Sequence, residues 1–200
     1  MVSWSILNSD LERKVDFMKI IDTSVVFFWQ EETNTNEEEK SLLNFDNDTS
    51  KKQKELADAD LLAANRLLKD VTEEKSYDKN HAYDTKAVQL SLQAVEKYHK
   101  CIVYADEKSN KIPNNLRKQL MFTHDIEFLQ KETENADINI LDKKDISALT
   151  QAIDCDLIKD PYTAMRYDRQ NLKHTDAETA VLIAKKAKKI LKRMIKQQLN

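Results

Sequence analysis

The chain has 200 residues, 40% of them apolar and 34% charged, with a formal net charge of −3, which is enough for one cored domain with an appendage. It contains no glycine and only two prolines, Pro113 and Pro161, which removes the left-handed turns of hairpin-rich sheets and the glycine-lined phosphate loops of P-loop, Rossmann and kinase folds. Glu, Lys, Leu and Ala dominate what is left, so the expected class is all-α.

Cys101 and Cys155 lie far apart and carry no CxxC or Cys/His ligand spacing, so both are expected reduced, with no structural metal and no cofactor. The first residues lack the basic-then-apolar order of a signal peptide, and the apolar patch Ile20 to Trp29 is too short to span a bilayer. The expected location is the cytosol, away from membranes. Charge is uneven along the chain. Residues 1–50 carry four bases against eleven acids, and Asp176 to Asn200 carry seven bases against two acids.

In chain order, Ser9-Asp10-Leu11-Glu12 has the form of a capping box, and Leu11, Val15 and Met18 follow at helical spacing, giving a short helix near 10–21. Val25 to Trp29 is an apolar cluster, extended or helical. Gln30 to Ser50 is an acidic linker poor in apolar residues. Residues 1–50 thus form an N-terminal extension, and 51–200 the bundle. Its first helix is expected from about Ser50, with Gln53 as capping partner and Leu56, Ala59, Ala63, Leu67 and Val71 buried. Glu73 to His81 is polar and is expected to turn the chain.

Tyr83 to Asp106 is the element around which the rest must assemble. Ala87, Leu90, Ala94, Tyr98, Ile102 and Ala105 recur at steps of three and four, and Val88, Leu92 and Val95 widen the stripe, so neighbours are needed on more than one side. After the polar stretch around Pro113, a helix carries Leu116, Leu120 and Met121, and Thr123 can cap another in which Ile126 and Leu129 face inward. Glu132 to Ile140 reads as a connection. Asp142 can cap a helix with Ile146, Leu149, Ile153 and Leu157. Asp160-Pro161 starts a short segment to Asp168. Asp176 can cap the last helix, in which Ala177, Ala180, Val181, Ala184, Ala187, Leu191, Met194 and Ile195 make a seam, with Lys185, Lys186, Lys188, Lys189, Lys192, Arg193 and Lys196 outside it.

Three stretches together resemble the HEPN domain family: Gln93-Ala94-Val95-Glu96-Lys97 with Lys100, Thr123-His124-Asp125-Ile126 with Leu129, and Arg166-Tyr167-Asp168 before the final helix. Leu56 to Leu68 is similar to the family's opening helix, so the resemblance runs over about residues 51–197. It implies an up-and-down antiparallel bundle of four to five main helices, a homodimer, and nucleotide- or RNA-connected work. That work can be done beside a nucleotidyltransferase protein partner or in a toxin-antitoxin or defence setting. Arg166 and Tyr167 are then candidates to grip a phosphate and stack on a base, joined by Lys185, Lys189 and Lys192 as contacts to the nucleic-acid backbone.

Catalytic members share an arginine and a histidine with four to six residues between them. Arg169 and His174 have that spacing, and the pair suits metal-independent cleavage of RNA, the histidine moving a proton while the arginine holds the phosphate. The arginine matching the family's turn is Arg166, from which His174 lies too far, so the expected function is a binding and dimerising module. Ribonuclease activity is the alternative, and a purely protein-docking helical module the third. The acidic stretch Glu31 to Glu39 is a candidate screen for the lysine-rich face.

Overall fold

The computed structural model describes residues 43–73, 77–153, 158–159 and 172–198, with side chains omitted over 71–80. All of these belong to the compact unit Leu42–Asn200. The expected helix near 10–21, the cluster Val25 to Trp29, the linker up to residue 42, Cys155, Leu157 and the Asp160-Pro161 segment lie outside the described residues.

The described residues form an all-α helical bundle with no strand: α1 (Asp48–Glu73), α2 (Tyr77–Ala105), α3 (Asn114–Phe122), α4 (Ile126–Asn135), α5 (Lys143–Ala152) and α6 (His174–Gln198). Three long helices carry the mass. Cross-helix bonds fix their directions. Ser50 Oγ donates to Cys101 O (2.8 Å) near one end of the α1/α2 pair, and Lys97 pairs with Asp60 further along, so α1 and α2 are antiparallel. His174 meets Asp84 (2.8 Å) at the start of both α2 and α6. Asp58 takes Tyr98 Oη (2.7 Å) and Lys188 Nζ (2.8 Å) in the next levels, so α6 runs parallel to α2 and antiparallel to α1. α3 packs on α2, α4 on α2 and α5 on α6.

α2 is central because its sequence leaves it no exposed side over most of its length. Residues 91–96 and 98–103 are all buried, and every stripe position named above is buried except the partly covered Leu90. The helix also begins at Tyr77, inside the stretch expected to turn. α1 is rotated from expectation. Its core face is Ala57, Leu61 and Ala64, with Leu67 and Leu68 packed against it, while Leu56 is 41% exposed and Ala59 is exposed. Alanines at the contact let α1 lie close to α2. Asn47, not Ser50, caps α1 by accepting from Thr49 N–H (2.8 Å). Leu43 and Ser50, assigned by sequence to the extension, are buried in this unit.

One cap shifts by two residues elsewhere. Asp125 caps α4, its carboxylate accepting from Phe128 N–H (3.0 Å), while Thr123 Oγ1 accepts from Asp125 N–H. α4 then continues through Glu132 to Asn135, where a connection was expected. Without glycine, its exit uses Asp137 at φ 56. Asp137 N–H bonds Glu134 O (3.0 Å) and Ile138 N–H bonds Thr133 O (2.9 Å), the paired bonds of a Schellman ending. Asn110, at φ 51, serves the same purpose after α2. The Asp142 cap is as expected and forms a full capping box with Asp145. α6 starts at His174, with Lys173 N–H bonded to Asp176 (2.8 Å), so Asp176 reaches back from the first turn instead of capping.

Among the described residues no helix is long and apolar enough to cross a membrane. Cys101 is free and buried.

Candidate nucleic-acid interface

α6 sorts its seven cations by position. At about 100° per residue, Ala177, Ala180, Ala184, Ala187 and Leu191 face the core and are buried. Lys185, Lys189, Lys192, Arg193 and Lys196 point the other way and are exposed. Lys186 and Lys188 sit at the edges of the buried face and are held by acids of neighbouring helices. Lys186 Nζ bonds Asp145 Oδ2 (2.6 Å) and Asp142 Oδ2 (3.2 Å) at the start of α5. Lys188 Nζ bonds Asp58 on α1.

These two pairs have an electrostatic signature. The bond to Asp145 moves the Lys186 ammonium above its ordinary value. Burial by itself would raise the Asp58 carboxyl, but hydrogen bonds from Lys188, Tyr98 and Lys54 outweigh it and leave the group below the usual carboxylate range. Tyr98 is pushed upward in turn, by burial first and by Asp58 second. Lys186 and Lys188 are therefore part of the scaffold, tying α6 to α5 and α1.

The other five cations make no ion pair with a described residue. With Lys188 they line one open groove of about 390 Å³, to which no acidic residue contributes among the described residues. From Lys185 to Lys196 the row extends about 16 Å at 1.5 Å per residue. Positively charged side chains toward a helix C-terminus are also favoured by the helix dipole. Lys185, Lys189 and Lys192, chosen from the sequence, are brought together here. Arg193 and Lys196 join them, four residues beyond Lys189 and Lys192 on the same face.

His174 opens α6 at the other end of that helix. Its Nδ1 lies 2.8 Å from Asp84 Oδ1, so Nδ1 carries the proton and the ring is held with Nε2 outward. Nε2 faces Glu178 Oε1 at 3.8 Å, beyond hydrogen-bond distance. Asp84 is 90 positions away in sequence, and no sequence signal links the two. A buried carboxylate orienting a histidine that is 35% exposed is the arrangement a proton-transfer group needs. Two carboxylates around one imidazole, however, give a field that repels phosphate. Arg166, Tyr167 and Arg169 lie outside the described residues.

The other two histidines of the resembling stretches are structural. His99 is fully buried on α2, with Nδ1 2.9 Å from Val95 O and Nε2 3.0 Å from Gln130 Oε1. His124 approaches Glu96 on α2 (3.1 Å), which also takes Lys100 Nζ (2.7 Å).

Set against protein-family models, curated proteins and solved structures, the chain matches none.

Proposed function

We propose that this chain is a HEPN-like module that binds RNA through the backbone phosphates, using Lys185, Lys189, Lys192, Arg193 and Lys196 on α6. The observation that carries the reading is the separation of α6's cations into two that are neutralised within the bundle and five that are not. A purely stabilising lysine face gains from ion pairs with its own neighbours, whereas five cations converging on a groove that no described acid lines suit an external polyanion. Among the described residues the groove is lined by no aromatic side chain and no amide, which favours recognition of charge over base sequence. On the HEPN resemblance the protein acts as a homodimer, alone or beside a nucleotidyltransferase protein.

The test is fluorescence anisotropy of a labelled single-stranded RNA with the wild-type chain and with Lys185→Glu/Lys189→Glu/Lys192→Glu. The expected result is a loss on the order of a hundredfold in affinity for the variant, from three charged contacts of about 1 kcal/mol each. Equal binding by the two proteins would remove α6 from the interface.

A second reading, metal-independent ribonuclease activity through Arg169 and His174, is favoured by the Asp84–His174 bond alone. The carboxylate of Glu178 beside Nε2 stands against it. His174→Ala abolishes cleavage in EDTA if this second reading holds, and RNA that stays intact with the wild type excludes it.

A further inference from the structure

Where α1 begins and α2 and α6 end, residues 43–46 cross over the helix ends and roof a cavity of about 300 Å³. The crossing segment is pinned on two sides. Asn44 N–H bonds Ala105 O (2.6 Å) at the end of α2, and the Gln198 side-chain amide of α6 lies against the Leu43 backbone, where its nitrogen turned toward Leu43 O (2.5 Å) and its oxygen toward Leu43 N–H (3.0 Å) satisfy both groups. The cavity is therefore preformed.

Its apolar lining includes Leu43, Phe45 and Ile195, and Ser50 and Cys101 line it as well. The polar groups of these two are satisfied among themselves, Ser50 Oγ donating to Cys101 O and lying 3.2 Å from Cys101 Sγ. Burial pushes the Cys101 thiol up to about 11, so it stays neutral and adds no competing anion. At the rim stand Lys51 and Lys54, with Asp46 the sole acid among the lining residues. Lys54 is held by Asp58 (3.0 Å). Among the described residues Lys51 pairs only with the exposed Asp46, at 3.2 Å, with the two side chains 53% and 84% exposed. Such a surface pair is easily exchanged for another carboxylate.

An apolar chamber with a cation at its mouth takes a ligand that is apolar at one end and anionic at the other. We propose that this cavity binds a small amphipathic carboxylate, with its apolar body between Leu43, Phe45 and Ile195 and its head group on Lys51. Three hundred cubic ångströms, at the ~30 Å³ that a water molecule takes in the liquid, is room for about ten non-hydrogen atoms, at the lower end of small-molecule sites. A mononucleotide exceeds that room, and the lining amide of Gln198, the group suited to a base edge, faces the Leu43 backbone. The site is separate from the cation row of α6 and does not depend on RNA binding.

The experiment is an amide-resolved NMR titration of the full chain with octanoate, octan-1-ol, butyrate and uridine monophosphate, repeated on Lys51→Met and Ile195→Phe. Lys51 is exposed, so its variant keeps the fold, which the unperturbed remainder of the spectrum verifies. Expected are saturable octanoate shifts at Leu43, Ser50, Cys101 and Ile195, with sub-millimolar affinity. Lys51→Met weakens octanoate about fivefold or more and leaves octan-1-ol unchanged, Ile195→Phe weakens both, and butyrate is bound far more weakly. The proposal is overturned by octanoate that fails to saturate below about 10 mM or by equal affinities for acid and alcohol. It is equally overturned by octanoate shifts confined to Lys185–Lys196, or by uridine monophosphate binding the cavity more tightly than octanoate.

Discussion

Replacing Asp106 with alanine tests how much of the bundle rests on one buried carboxylate. Asp106 ends α2 with no exposure and accepts from Ser109 Oγ (2.5 Å), Lys111 N–H (2.9 Å), Ile112 N–H (2.8 Å) and Arg117 Nη2 (3.0 Å). It thereby sets the whole α2–α3 loop and its left-handed Asn110. Arg117 is itself buried on α3 and also donates to Ile112 O, Asn110 Oδ1 and Asn114 Oδ1. Removing the carboxylate leaves that guanidinium without its counter-charge, at about 3–5 kcal/mol, together with an unpaired Ile112 N–H in a buried position. About 4 kcal/mol is expected for Asp106→Ala, or a melting temperature lower by roughly 8–16 °C in a domain of this size. Arg117→Met leaves Asp106 three donors and costs less, about 2 kcal/mol. The double variant is expected near 4 kcal/mol, short of the sum, because the two share one interaction. Urea unfolding followed by circular dichroism at 222 nm measures all three. A cost below about 1 kcal/mol for Asp106→Ala, or strict additivity in the double variant, would refute the reasoning.

Burial holds the His99 imidazole below its ordinary value of 6.5, outweighing the two acceptors its nitrogens face. The unfolded chain then takes up a proton that the folded chain refuses, so stability is full above about pH 6.5 and declines as pH falls below it toward the depressed folded value. An NMR titration in which the His99 ring charges at or above pH 6.5 would contradict this. Cys101, pushed up to about 11 by burial, is expected to react with iodoacetamide at pH 8 at least a hundredfold more slowly than an ordinary thiol, measured in a Cys155→Ser background; comparable rates would show an accessible thiolate. Asp137→Gly relieves a left-handed residue at the end of α4 and is expected to stabilise the fold by about 0.5–1 kcal/mol, whereas Asp137→Ala destabilises it by a similar amount. Thermal melts of the two variants moving in the same direction would count against the strain.

The central helix was legible in the sequence because an apolar stripe too wide for one neighbour has only one solution, burial on nearly all sides. α1 was not, since Leu56, Ala57, Ala59, Leu61, Leu62, Ala63 and Ala64 put apolar groups all round the helix and allow more than one phase. The phase is settled by Asp58 and Asp60, whose partners Tyr98, Lys188 and Lys97 are 37 or more positions away. Caps slipped for a local reason: Thr123 and Asp125, two residues apart, each accept from an amide at the start of α4, and Asp176 takes the Lys173 N–H from inside the first turn of α6, three residues beyond it. At the interface, helical spacing by itself identified the cation row. Which lysines are neutralised was hidden, because Asp58, Asp142 and Asp145 arrive from other helices. Asp84 beside His174 was hidden for the same reason.

The claim that α6 grips RNA through its phosphates is tested most directly by the salt dependence of binding. With five cations engaged on a single strand, the plot of log affinity against log salt should have a slope of about −3.5, and Lys185→Glu/Lys189→Glu/Lys192→Glu should flatten it by about 2. A slope near zero in the wild-type protein, or one that the substitutions leave unchanged, would contradict it.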